Sequence, residues 1–456
     1  MTSVEQRCAS RSVAEFIAEI DYASLPEAVQ VQARRCLLDT LGVAIAATRL
    51  PLATIVRNFA ADNICSREGR GVRLFLDGRR VSVPGAALAA SAIIDSFDGH
   101  DGHVLCKGHA GVCIIPAALY FSEYTGNGDW EKLLSWIVLG YEIATRSGIA
   151  LHATAKEFSS SGAWNALGVA AIGARALGLS NSQTCHALGI AEYYAPRSPL
   201  MRVVQNPSML KDGSTFGAFS GATAVFLASS GFTGDPVGLI DSYRGEAGND
   251  LWTSLGTDWL ILDQYFKPFP VCRWTQPAIW AVLELKKKYP YLHERDVQHV
   301  EVKGFREAVS LGCREPKGSD EAQYSLPFVV ATVLVHGKVE IEEVSGSGLI
   351  DERVLFHSNN MQLTEDREFS SLFPSERWSR VLVTLKNGEV LDSGPVTTKG
   401  DPTTSLSDEF ISDKFFNNVN PVLGPAIGTF LHDAILFNSF SLDDVMNILG
   451  DAPAPL

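Results

Sequence analysis

The chain has 456 residues, 46% of them hydrophobic and 20% charged, so it can bury a large core and its length suggests two or three structural units. Its net charge of −14, with no local basic stripe, repels phosphate backbones and argues against a nucleic-acid partner. No stretch reaches the roughly 18 uninterrupted apolar residues that span a bilayer, and residues 1–11 lack the pattern of a secretory signal, so a cytoplasmic protein with no membrane partner is expected.

From Ser10 to about Asp250 apolar residues recur every three and four positions, a helical period. Ser24-Leu-Pro-Glu27 reads as an N-cap with Pro26 in the first turn of a long helix through Leu41 and Val43. The early interruption lies at 72–83, two alternating runs joined at Asp77-Gly78, which predicts a hairpin; helices resume at Pro84. Three segments rich in Ala, Gly and Ser, at 85–92, 162–178 and 213–231, predict central helices whose axes approach closely. The character changes around Lys267-Pro-Phe-Pro270. Strand-like runs at 298–303 and 380–385, the second turning at Asn387-Gly388, alternate with helical patterns at 274–288 and 323–336. The expected fold is mainly α: a large all-helical domain over 1–264, to which 406–456 returns, and a smaller α+β lid domain over 265–405. The eight cysteines are dispersed and contain no Cys-x-x-Cys pair, which suits reduced packing residues better than a disulfide framework.

The densest polar cluster follows the helix that starts at Pro84: Asp95-Ser-Phe-Asp98-Gly-His100-Asp101-Gly-His103-Val-Leu-Cys106-Lys107-Gly108-His109. Three of the ten histidines fall within ten residues, and the glycines allow the loop to fold back on itself. The bland alternative is a loop that only caps one helix and starts the next at Gly111. His100, His103, Cys106, His109 and Cys113 also invite a zinc reading, but their spacing matches none of the usual paired-ligand signatures.

The ordered landmarks decide between these readings. Asp98-x-x-Asp101 with Gly108-His109 is followed by Leu139-Gly-Tyr-Glu142 with Arg146, and by Ser161-Gly-Ala-Trp-Asn-Ala-Leu-Gly168. Then come Met209-Leu-Lys211, Gly231-Phe-Thr-Gly234, Phe266-Lys267-Pro-Phe-Pro270 with Cys272-Arg273, and Tyr324-Ser-Leu-Pro-Phe328. Over about residues 10 to 430 this order resembles the MmgE/PrpD family, which includes 2-methylcitrate dehydratase, cis-aconitate decarboxylase and iminodisuccinate epimerase. The resemblance implies a large helical domain with an α+β lid, a homodimer, and chemistry with no metal and no organic cofactor on a small polycarboxylate.

The shared step in that family moves a proton at a carbon next to a carboxylate. Such a proton is barely acidic, so a site must neutralise the substrate's charge and hold a base nearby. The resemblance makes His109 the general acid or base and Lys211 and Lys267 the neutralising cations. Asp98 and Asp101 match the acidic loop that orients the histidine or binds substrate. Arg146 and Arg273 are candidates to grip a carboxylate bidentately, or else form structural ion pairs. Tyr324 is a candidate phenolic donor or a core-facing ring.

Two departures matter. Where decarboxylating members carry a second histidine after a Phe, this chain has Phe158-Ser159, and Ser159 cannot replace an imidazole as an acid near neutral pH. His100, His103 and His152 are the imidazoles that could compensate, and His103 and Ser159 are counted with the substrate-binding candidates. The loop between Asp101 and His109 is also long, with Gly102 where threonine is common. Both changes argue against cis-aconitate as substrate and leave dehydration and epimerisation open. A lyase or epimerase is expected, with a decarboxylase or a non-catalytic acid-binding protein as the alternatives.

Overall fold

The computed structural model describes residues 6–241 and 251–451; residues 1–5, 242–250 and 452–456 of the expected spans lie outside the described residues. The fold is mainly α with a small sheet region. Local chemistry marks many of the helix starts. Ser82 Oγ accepts the Gly85 N–H and Pro84 sits in the first turn of Val83–Ser96. Ser180 and Gln183 form a reciprocal capping box at the head of Asn181–Tyr194. Ser24 is not the cap expected of it: its hydroxyl donates back to Asp21 O at 2.7 Å and closes a 3-10 turn. Pro26 holds an extended ψ of 145°, so the long helix begins one residue later, as Glu27–Ala47. The short hairpin forms, pairing Val72–Arg73 with Arg80–Val81 through Gly78 at φ +85°.

The helices Val83–Ser96, Gly162–Ala176 and Ser214–Ser229 pack together in the interior. Their small residues are required by distance. A Cβ on Gly162 would stand 2.1 Å from the Gly213 carbonyl oxygen, and one on Gly217 would stand 2.6 Å from Gly162 Cα. That approach brings the start of one helix, with Ser161 and Asn165, beside Lys211 and Asp212 at the start of another. The tail helix Asp408–Leu423 packs on Glu27–Ala47, where Lys414 Nζ meets Asp39 and the Gly99 carbonyl, each at 2.6 Å.

The second unit is built on one sheet. Val297–Gly304 lies between Met361–Glu365, which runs parallel to it, and Trp378–Leu385, which runs antiparallel and carries Val390–Asp392 on its far side. Val381, Val383 and Leu385 point inward from alternate positions, and the helix Gln276–Lys288 packs against their strand. A link the sequence reading did not foresee joins the two units. Gly102–His103 pairs antiparallel with Gln264–Tyr265, so the acidic loop is tied to the segment that carries Lys267. Among the described residues no single helix is long and apolar enough to cross a membrane.

Candidate active site

After Phe97 the chain folds back over the helix starts. The His103 N–H donates to the Gly108 carbonyl at 2.9 Å, and this closes the loop and returns His109 to the interior. The backbone of His109 is clamped from the Gly162 helix: its N–H donates to Ser161 Oγ at 3.0 Å and its carbonyl accepts from Asn165 Nδ2 at 2.7 Å. The ring is oriented by its own loop, with Nδ1 against the Asp101 carbonyl oxygen. A carbonyl only accepts, so the proton resides on Nδ1 and Nε2 keeps its lone pair. Nε2 stands 3.6 Å from Asp212 Oδ2.

Electrostatics follow from burial. Desolvation, then Lys267 and His100, pull the His109 pKa down to about 3, so the imidazole is neutral at pH 7. His100 stacks edge-on to it at 4.5 Å between ring centroids and is likewise held near 3, by burial and then Lys267. Burial raises Asp212 to about 6 and Asp95 to about 7. Asp98 goes the other way. Burial alone would raise it, but Lys267, whose ammonium is bonded to Asp98 Oδ1, and His109 outweigh that and hold it near 2. The centre therefore contains an ionised Asp98–Lys267 pair beside a neutral imidazole and a carboxyl group poised near neutrality.

These groups open on a cavity of about 480 Å³, lined among others by Asp98, His103, His109, Asp212, Lys267 and Tyr324. The size lies within the roughly 300–1,000 Å³ typical of small-molecule sites. From the sheet-bearing unit come Arg273 and Arg377. Arg273 is already committed to Asp401 at 2.5 Å and Thr398 Oγ1 at 3.0 Å. Arg377 is buried with its guanidinium 5.9 Å from the Phe373 ring centroid, and among the described residues its Nε has no hydrogen-bond partner. A buried guanidinium with an unmet donor is costly, and an entering carboxylate would satisfy it.

Two family models match the chain, the MmgE/PrpD N-terminal domain over residues 11–250 and the MmgE/PrpD C-terminal domain over residues 269–427. The chain belongs to the MmgE/PrpD family. Membership supports a dehydratase- or lyase-like function at the level of the family. A search of curated proteins returned no match.

The residues singled out in this MmgE/PrpD chain fall into three groups. Asp98, His103, His109, Lys267, Arg273 and Tyr324 line the cavity. Lys211 and Asp101 stand just behind it. Lys211 donates to Gln323 Oε1 at 2.9 Å and its ammonium lies 5.2 Å from the Tyr324 ring centroid. Its backbone is left-handed, φ +44°, a strained conformation for a side chain with a Cβ. The Asp101 carboxylate accepts from the Tyr141 hydroxyl and from the Gly111 N–H, so Asp101 reaches His109 only through its backbone carbonyl. Arg146 and Ser159 are elsewhere. Arg146 is a structural ion pair: it bonds Glu142 at 3.2 Å and the Leu251 and Asp258 carbonyls at 2.6 Å, and has no donor facing the cavity wall. Ser159 bridges to Pro199 through its backbone and donates its N–H to His152 Nε2 at 3.1 Å, and neither Ser159 nor His152 lines the cavity.

Sequence reasoning missed Asp212, Gln323 and Arg377. Asp212 follows Lys211 directly, so the neighbouring landmark was the available signal. Gln323 accepts both the Asp98 N–H and the Lys211 ammonium, each at 2.9 Å, and no local pattern announces that role. For a metal, the thiols of the zinc reading are spent: Cys106 donates to the Thr145 carbonyl and Cys113 to that of Ser214. Asp98, His100 and His109 do have ligand atoms within 4.8 Å of one another. A cation there would compete with the Lys267 ammonium already on Asp98.

Proposed function

We propose that this protein is a cofactor-free hydro-lyase that removes water from a small di- or tricarboxylate, working as a homodimer. The observation that carries the reading is the neutral His109, Nε2 free, 3.6 Å from the carboxyl of Asp212 and beside the Lys267–Asp98 pair. Lys267 and Arg377 hold substrate carboxylates, Arg273 stays bonded to Asp401 and adds its charge to the wall, and Lys211 adds its own from behind Tyr324. His109 Nε2 takes the proton α to a carboxylate. The C–H electron pair becomes the new C=C bond as the β C–O bond breaks, and the departing hydroxyl takes the proton of the Asp212 carboxyl to leave as water. His109 then returns its proton to Asp212, which restores both groups.

Epimerisation asks for proton exchange on opposite faces of one carbon. Two proton-handling groups so close together serve a single face, which favours elimination. The test is a panel of hydroxy di- and tricarboxylates in heavy water, followed for new double bonds and for deuterium uptake. Elimination is expected. Deuterium uptake with inversion and no alkene would replace this reading with epimerisation, release of carbon dioxide would replace it with decarboxylation, and binding without turnover would make the protein a carrier of small acids.

A further inference from the structure

We propose that the same cavity holds, beside its charged end, an apolar subsite formed by Phe158, Leu200, Met201 and Val204 that receives a hydrocarbon chain carried on the carboxylate substrate. The inference rests on the carboxylate reading above only for the identity of the charged end.

A small polycarboxylate presents charge on nearly every side, and a wall built for it alone would carry donors throughout. These four side chains line the cavity and offer none. Their position is built in. Pro199 starts the short helix Leu200–Gln205, which sets Leu200 and Val204 one turn apart on the same face, both nearly buried. The Leu200 N–H donates to the Phe158 carbonyl at 2.8 Å, and the Ser159–Pro199 bridge fixes the two segments side by side. Phe158 itself is 39% exposed, and His152 packs edge-on to its ring at 5.4 Å between centroids. Trp274 and Phe373 extend the apolar lining, with Phe373 stacked 4.8 Å from Phe305 and so unable to swing away.

Charge excludes the simpler occupant. A second carboxylate placed against Leu200, Met201 and Val204 would lose its water with no donor in exchange. The cations that line the cavity are Lys267, Arg273, Arg306 and Arg377, with Lys107 lying over the Phe158 face, 4.3 Å from its centroid. The occupant is therefore amphiphilic: at least one carboxylate at the arginines and lysine, and an unbranched alkyl or arylalkyl chain along the four-residue wall.

The experiment is calorimetric titration of the full-length protein with 2-alkylsuccinates from methyl to octyl, which carry the charged end and a graded chain but need no turnover. Affinity is expected to rise about fourfold for each of the first few methylenes, the equivalent of ~0.8 kcal/mol per CH₂. Alkanols of the same length should not bind. In Val204→Gln, and independently in the more conservative Met201→Gln, the ratio of octyl to methyl affinity is expected to fall by tenfold or more. A chain-length series that is flat, a ratio unchanged in both folded variants, or no binding of any member overturns the subsite. Dehydration of short acids with a flat series would sink the subsite and leave the reaction standing. A steep series with no elimination or proton exchange on any acid would sink the reaction and leave the subsite.

Discussion

Gly102 gives the most discriminating test of the site, because its side chain is missing for a reason visible in distances. A Cβ there would lie 2.5 Å from the Tyr265 hydroxyl and 2.8 Å from His109 Nδ1. Ordinary contact needs roughly 3.5 Å, so in Gly102→Ala the imidazole and the phenol must each retreat by at least about half an ångström. The Tyr265 ring has little freedom, since its backbone pairs with Gly102 and the Arg273 guanidinium lies 4.3 Å from its centroid. The imidazole must move whatever Tyr265 does, since its own Nδ1 would lie 2.8 Å from the new Cβ, and its bond to the Asp101 carbonyl is expected to be lost. Overpacking of this kind costs about 1–3 kcal/mol of stability, and a misplacement approaching 1 Å at a reacting group costs up to about 10²-fold in rate. The expected result is a kcat about 10- to 10²-fold lower with KM within a few-fold. His109→Gln, which keeps bulk and loses proton transfer, is expected to lose at least about 10²-fold. The two changes act on one ring, so Gly102→Ala should cost almost nothing further in the His109→Gln background. Wild-type turnover in Gly102→Ala, or strict additivity of the two losses, would refute the assignment of His109 and of its orientation by the loop.

Other outcomes follow from the same geometry. Lys267→Met strands the Asp98 carboxylate and is expected to cost about 2–5 kcal/mol in kcat/KM, and Lys211→Met a comparable amount through Tyr324 and the buried carboxylates; wild-type kinetics in both would make them ordinary structural lysines. If the Asp212 carboxyl donates the leaving proton, activity falls as pH rises through about 6, where the folded protein gives that proton up, and Asp212→Asn should abolish this descent along with most of the rate. The same raised pKa makes Asp212 favour the folded state below the ordinary carboxylate range and lose that contribution as pH climbs from about 4 to 6; Asp212→Asn should then unfold at a temperature less dependent on pH in this window. Activity should survive exhaustive chelation, and stoichiometric metal retained by wild type and lost in His100→Ala would overturn the cofactor-free chemistry.

What the sequence made legible was periodic or local. The helical repeat, the Asp77-Gly78 hairpin, the strands around residues 298 and 380 and the small-residue helices all follow from patterns a few residues long. The polar loop was visible for the same reason, since His100, His103 and His109 are close in sequence before they are close in space. What escaped depends on distant pairing. Arg377 looks like any surface arginine until folding buries it at the cavity, with an Nε that has no hydrogen-bond partner among the described residues. Arg146 stayed open between a carboxylate clamp and a structural ion pair because nothing nearby tells that the carbonyls of Leu251 and Asp258, more than a hundred residues on, will take its terminal donors. Ser159 drew attention as the place of a missing histidine, yet the cavity-lining residue there is Phe158, and alternation along an irregular segment gave no means of knowing which of the two would face inward.

The electrostatics of the site explain why its base and its substrate must arrive together. His109 near pKa 3 is a feeble base, and the cause after burial is the positive field of Lys267. Asp98 is its bonded counter-charge, and the buried Arg377 adds a second cation whose Nε has no hydrogen-bond partner among the described residues. A polycarboxylate entering the cavity supplies the missing negative charge, which stabilises the imidazolium that proton abstraction creates and raises the basicity of Nε2 only when there is a substrate to act on. Without it the imidazole stays neutral and the Asp101 carbonyl keeps it in the tautomer that can accept. Titration of His109 by NMR should therefore show its pKa rising when an inert dicarboxylate binds. A histidine whose titration ignores the ligand would mean that the cations and the base belong to separate sites.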